Sequence, residues 1–147
     1  MARGWSVLPP IDIVVDGGVL VAADILDPIL RAKVDAWLSS GCVKLVHFGT
    51  PCTTFSRARR FDGGPPPIRS GQFLDGIPGI SAVNQASVRQ GTMFLDITLQ
   101  LCALVALAGG SWTIENPAKS MLWIMPQTIL FQAACALLSF LLGSVCF

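Results

Sequence analysis

The sequence predicts an α/β domain built on a mostly parallel sheet, and three observations predict it. Short apolar runs alternate with longer segments of helical period, the pattern of strand–helix–strand crossovers. The runs stop abruptly at polar or Gly/Pro residues: Asp24 after residues 19–23, Gly49-Thr50-Pro51-Cys52 after residues 43–48, and Glu115-Asn116-Pro117 after residues 111–114. The chain has 147 residues, 52% hydrophobic and 13% charged against about 25% charged in typical domains. That length and composition suit one core rather than two.

The elements follow in order. Residues 6–15 are apolar but carry Pro9-Pro10, so they predict a weakened strand. Gly17-Gly18 is a turn, and residues 19–23 are a buried strand ending at Asp24. Asp27-Pro28 is an N-cap followed by a first-turn proline, which predicts a helix over residues 28–38. Ile29, Leu30, Val34, Trp37 and Leu38 would share its apolar face, and Gly41 would stop it. Residues 43–48 are the next strand. Residues 61–82 are rich in Gly and Pro, which makes a long loop. A helix is expected from about Ala82 to Leu107, ending at Gly109-Gly110, then a short strand at residues 111–114. Residues 125–147 form an apolar tail, predicted helical, with no charged side chain from Ser120 onward.

Net charge is +1, so global charge argues for neither nucleic acid nor an acidic partner. The five cysteines are widely spaced and contain no CxxC pair. A disulfide framework and a metal site are both unsupported, and a reducing intracellular compartment, nuclear or cytoplasmic, fits best. Residues 1–10 contain no signal-peptide hydrophobic region.

In parallel sheets, ligands gather at the carboxyl ends of strands. Asp12, Asp24, Cys52 and Glu115 all fall at predicted strand ends. Cys52 follows Gly49 and Pro51, which would fix the backbone and present a reactive thiol. Thr53, Thr54 and Ser56, a helix start, and Arg57, Arg59 and Arg60 lie next to it. The alternative is a small buried cysteine that only packs. Glu115 ends an apolar strand, where burial would raise its pKa and suit it to proton donation. It could instead be a helix N-terminal carboxylate before Pro117. Arg57, Arg59, Arg60 and Arg69 could contact phosphate or form a solvated loop. Asp12 and Asp24 could hold a ribose hydroxyl or an adenine amino group, or serve turns and caps. His47, the only histidine, lies within an apolar strand and is expected to be structural, which leaves a Cys–His hydrolase without a base.

Residues 49–56, Gly-Thr-Pro-Cys-Thr-Thr-Phe-Ser, resemble the catalytic loop of the DNA (cytosine-5) methyltransferases, Gly-x-Pro-Cys-Gln-x-Phe-Ser. Glu115-Asn116 resembles that family's Glu-Asn-Val motif. Residues 89–96, starting Arg89-Gln90-Gly91, are similar to its Arg-Gly-x-Leu-Phe stretch, and Ala23-Asp24-Ile25 to its Gly-Asp-Ile. The resemblance covers residues 5–124. It implies a partial Rossmann-like, S-adenosylmethionine-dependent fold lacking its first strand. It implies that Cys52 attacks C6 of a cytosine in DNA and that Glu115 engages N3. Asn116 would hold the Cys52 loop, and Pro51, Ser56, Arg57 and Arg59 would border the substrate. Asp12, Asp24 and Ile25 would contact the cofactor.

The chain departs from the pattern at several places. Thr53 replaces the usual Gln and Pro117 the usual Val, and no Phe-x-Gly-x-Gly loop precedes Trp5. The sequence therefore predicts a truncated domain with impaired activity. Three other readings compete. Asn116-Pro117-Ala118-Lys119 faintly resembles the loop of amino-methyltransferases, but Ala118 and Lys119 break it. The chain could be an inactive fragment of mobile-element or phage-like origin. Residues 128–147 are also about long enough to span a bilayer.

Overall fold

In the computed structural model, residues 4, 6–8, 10, 11, 23–59 and 64–142 are described, with side chains to Leu138. The chain divides into two compact units, Met1–Trp37 and Leu38–Phe147.

In the first unit, the turn before the helix is built by two aspartates. Asp24 accepts the backbone N–H of Leu26 at 2.9 Å, and Asp27 accepts that of Ile29 at 2.8 Å. Asp27 thereby satisfies an N–H that the helix itself cannot pair. Helix α1, Pro28–Ser39, begins on the predicted proline. Val34 and Leu38 are its buried residues, four apart and therefore on one stripe. Ile29 and Trp37 are exposed: at 100° per residue Ile29 lies on the far side of the helix from that stripe, and Trp37 flanks its edge. The predicted five-residue face is thus narrower than expected. The predicted strand over residues 19–23 falls outside the described residues except for Ala23, which is irregular. So are the described residues of the predicted 6–15 strand, and Val7, Leu8 and Ile11 are exposed there.

The second unit holds the sheet. Strand β1, Leu45–Phe48, pairs in parallel with strand β2, Ser111–Ile114. The register sets Leu45 opposite Ser111, His47 opposite Thr113 and Phe48 opposite Ile114. Among the described residues these are the two strands of the sheet, in an α/β fold. Side chains alternate along each strand. Val46, Phe48, Trp112 and Ile114 are half-buried, whereas Leu45, His47, Ser111 and Thr113 are exposed.

Helix α2, Ala82–Leu107, is the crossover between the strands and packs against both. Ser81 caps it by accepting the N–H of Asn84, and Gly109, at φ 76°, supplies the left-handed residue just beyond its end. By length and composition α2 could cross a membrane. Its buried residues, among them Val88, Gly91, Leu95, Thr98, Cys102 and Val105, recur every three or four positions. That is the stripe of a helix laid on a core.

A 3-10 turn, Met121–Ile124, leads into helix α3, Pro126–Leu142. The core unites Phe55, Leu95, Leu99, Met121, Leu122 and Met125, with Leu74, Ile114, Trp123 and Phe131 packed around it. Phe131 anchors α3, its ring 5.3 Å from that of Trp112. Over its described residues the predicted apolar tail is therefore a helix resting on the domain, with Thr128 buried. Ile129, Leu130, Leu137 and Leu138 of this helix are exposed.

Candidate functional site

Because β1 and β2 are parallel neighbours, the residues that follow them emerge at the same end of the sheet. Cys52 follows β1 and Glu115 follows β2. The pairing continues one step past the strands, where Glu115 N–H donates to the Phe48 carbonyl at 2.8 Å.

The loop carrying Cys52 is held at several points. Asn116 Nδ2 donates to the carbonyl of Thr50 at 2.7 Å. Thr50 is buried, and its hydroxyl lies 3.0 Å from that of Thr98 on α2. Thr98 gives its single hydroxyl proton to the carbonyl of Phe94 at 2.9 Å, so Thr50 is the donor to Thr98. Beyond Cys52 the expected helix start is a single turn. The Cys52 carbonyl accepts N–H groups from Phe55 at 2.9 Å and Ser56 at 2.8 Å. Phe55 is fully buried, and its own carbonyl accepts the N–H of Met121 at 2.9 Å. Thr54 is buried against α2 at Gly91, where a Cβ would overlap the Thr54 hydroxyl. Cys52 itself is a free thiol, half-buried.

Glu115 departs from the sequence expectation. Its carboxylate is exposed, at 79% of the side-chain surface, because it continues the outward alternation of Ser111 and Thr113. Burial therefore does not act on it. His47 is also exposed rather than enclosed in its strand. Its Nδ1 lies 2.8 Å from Thr113 Oγ1, and its Nε2 lies 3.4 Å from Glu115 Oε2. The one histidine is thus the neighbour of the site carboxylate.

The arginines divide. Arg57 is exposed beside the Cys52 turn. Arg59 donates to the carbonyls of Thr53 at 3.3 Å and Pro66 at 3.1 Å, tying the turn to the Pro-rich loop. Arg60 lies outside the described residues. Arg69 is 1% exposed, so it cannot reach a phosphate. Its guanidinium lies 4.3 Å from the centre of the Phe55 ring, donates to the carbonyl of Leu74, and reaches Val88 O at 2.6 Å and Thr92 Oγ1 at 3.0 Å. Burial lowers its pKa and the charge of Asp75 opposes that. Contacts of this desolvated kind over an aromatic ring are worth about 2 kcal/mol.

Pro51 is exposed and Ser56 half-buried, its hydroxyl accepting the N–H of Ala58 at 3.1 Å. Asp24 is exposed and Ile25 half-buried in the first unit, while Asp12 lies outside the described residues. No group of three or more His, Cys, Asp or Glu residues suited to a metal occurs among the described residues. The burial of Arg69 runs against its loop of Gly and Pro, which predicts exposure; the apolar neighbours Ile68 and Phe73-Leu74 are the local hint of it. Comparison with protein-family models, with curated proteins and with solved structures finds no match to the chain.

Proposed function

We propose that Cys52 and Glu115 form a cytosine-addition site, the covalent half of DNA cytosine-5 methylation. One observation carries the reading: Asn116, next to Glu115, holds the Thr50 carbonyl two residues before Cys52. The residue pair and the loop are thereby fixed to each other at one sheet end. The finer fold reading belongs to the same proposal: β1, α2 and β2 would be two neighbouring strands and the crossover of a partial Rossmann-like methyltransferase.

The residues suit the step. The Cys52 thiolate adds to C6, forming an S–C6 bond and opening the C5=C6 double bond. Glu115, in its protonated carboxyl form, donates a hydrogen bond at N3, where the displaced charge collects. C5 becomes nucleophilic and takes an electrophile. The base must leave the duplex stack to reach the thiol. Arg57 beside the turn offers a phosphate contact, while Arg59 shapes the loop.

S-adenosylmethionine, the donor implied by the resemblance, supplies an electrophilic methyl group when bound. Asp24 already accepts the N–H of Leu26 in the turn before α1, and Asp12 lies outside the described residues. The described residues do not make a donor seat, so no step here runs through it, and impaired methylation by this chain is the expectation.

The test therefore needs no donor. In deuterated water, addition of Cys52 lets C5 take a deuteron; loss of the original hydrogen and expulsion of the thiolate return labelled cytosine. Wild-type protein should label cytosine in an oligonucleotide, and Cys52→Ala should not. Absence of labelling by the wild type would remove the reading and leave an inactive fragment. A second reading, membrane association, rests on the exposed Ile129, Leu130, Leu137 and Leu138 of α3. Flotation with liposomes, lost on deleting residues 128–147, would support it.

A further inference from the structure

The Gly/Pro-rich segment before α2 has the composition of a surface loop, yet it sends one arginine into the core. Burying a cation is costly unless its donors are satisfied. Arg69 meets most of that requirement with neutral groups at its two terminal nitrogens: the carbonyls of Leu74 and Val88, the hydroxyl of Thr92 and the face of Phe55, with Met125 Sδ 4.0 Å away, while Nε has no hydrogen-bond partner. These partners belong to the loop itself, α2, the residue between the 3-10 turn and α3, and the Cys52 turn. An apolar side chain would fill the same space without the desolvation cost, but it could not bind three acceptors in fixed directions.

Phe55 is the element of this set closest to the chemistry. Its N–H closes the turn onto the Cys52 carbonyl, and its ring lies against the guanidinium. We infer that Arg69 is the positioning residue of the Cys52 turn: the loop is a clamp whose buried cation fixes Phe55, and through it the direction of the thiol. The functional meaning of that direction rests on the cytosine-addition reading; the clamp itself does not. The clamp replaces the phosphate-contact role that the sequence suggested for Arg69.

The test compares wild type, Arg69→Met and Phe55→Leu. Methionine keeps length and removes charge; leucine keeps an apolar group and removes the ring. Cys52 alkylation by iodoacetamide is followed by peptide-resolved mass spectrometry, alongside the thermal midpoint and amide exchange. Both variants should alkylate about fivefold faster or more at Cys52 under conditions where both melt cooperatively, the factor that roughly 1 kcal/mol of lost restraint gives. Their effects should not add in the double variant. Unchanged alkylation in a folded Arg69→Met protein would overturn the clamp. Should both variants unfold, the wild type decides. The Phe55 and Ser56 amides should then be as protected as those of α2 near Val88, and exchange orders of magnitude faster would equally overturn it. A wild type that passes these tests but fails to label cytosine would refute the proposed chemistry and leave the clamp standing.

Discussion

Asn116 donates from Nδ2 to the carbonyl of Thr50 at 2.7 Å, so the residue after the site carboxylate holds the loop that carries the thiol. The bond spans two chain segments that α2 separates in sequence. It converts the adjacency of β1 and β2 into a fixed arrangement of the residues beyond them. Asn116→Ala would leave the Thr50 carbonyl without this partner, at a cost of about 1–3 kcal/mol. Chemical denaturation should show a lower midpoint with an unchanged slope. Cys52 should alkylate faster in the same protein. An unchanged midpoint would mean that water replaces the amide at no cost.

Gly91 tests the other wall of the loop. A methyl group at this position overlaps the Thr54 hydroxyl and approaches Arg69 to 3.3 Å from the guanidinium. Alanine gains about 1 kcal/mol over glycine in a helix interior. Overpacking a filled site costs about 1–3 kcal/mol. The steric cost should win, and Gly91→Ala should unfold at lower denaturant than wild type. In a Thr54→Ala background the overlap with the hydroxyl is gone, and the same substitution should become neutral or stabilising. A loss of equal size in both backgrounds would show that Thr54 is not the obstacle.

The two outcomes at Glu115 and Arg69 show where sequence reasoning carries and where it stops. The ranges of α2 and β2, the cap at Asp27 and the adjacency of the Cys52 and Glu115 strand ends follow from local signals: period, caps and glycines. The exposure of Glu115 follows from which face β2 turns outward, and a four-residue strand, Ser111–Ile114, is too short to declare it. Arg69 is harder still. Its burial depends on Phe55, Val88 and Met125 meeting at one point, and no local pattern encodes that meeting. Loop composition predicts solvent, and tertiary packing overrides it.

Cys102 offers a contrast with Cys52 that pH can expose. Burial pushes its thiol up to about 12 from an ordinary 9.0, and the neighbouring Cys135 adds to the rise. The folded state therefore keeps a proton that the unfolded state loses first. The resulting stabilisation is complete below pH 9.0 and should decline as pH rises from there toward 12, by up to about 1.4 kcal/mol per pH unit. Cys102→Ala should flatten this decline in unfolding measured against pH. In native protein at neutral pH, Cys52 should alkylate while Cys102 does not.

Glu115 and His47 separate function from stability. Both side chains are exposed and 3.4 Å apart, so their pairing should contribute less than about 1 kcal/mol. Glu115→Gln should therefore leave the unfolding midpoint nearly unchanged. The same substitution removes the carboxyl group proposed to stabilise charge at N3 of the cytosine ring. Positioned acid–base groups contribute about 10²–10⁴-fold to rate. Deuterium labelling of cytosine C5 should slow by about 10²-fold or more in Glu115→Gln, with Cys52 alkylation by iodoacetamide unaltered. His47→Ala should keep the fold and shift labelling less than Glu115→Gln does, because it touches the carboxylate rather than the base. Equal labelling by wild type and Glu115→Gln would detach Glu115 from the chemistry and leave Cys52 as a thiol without its partner.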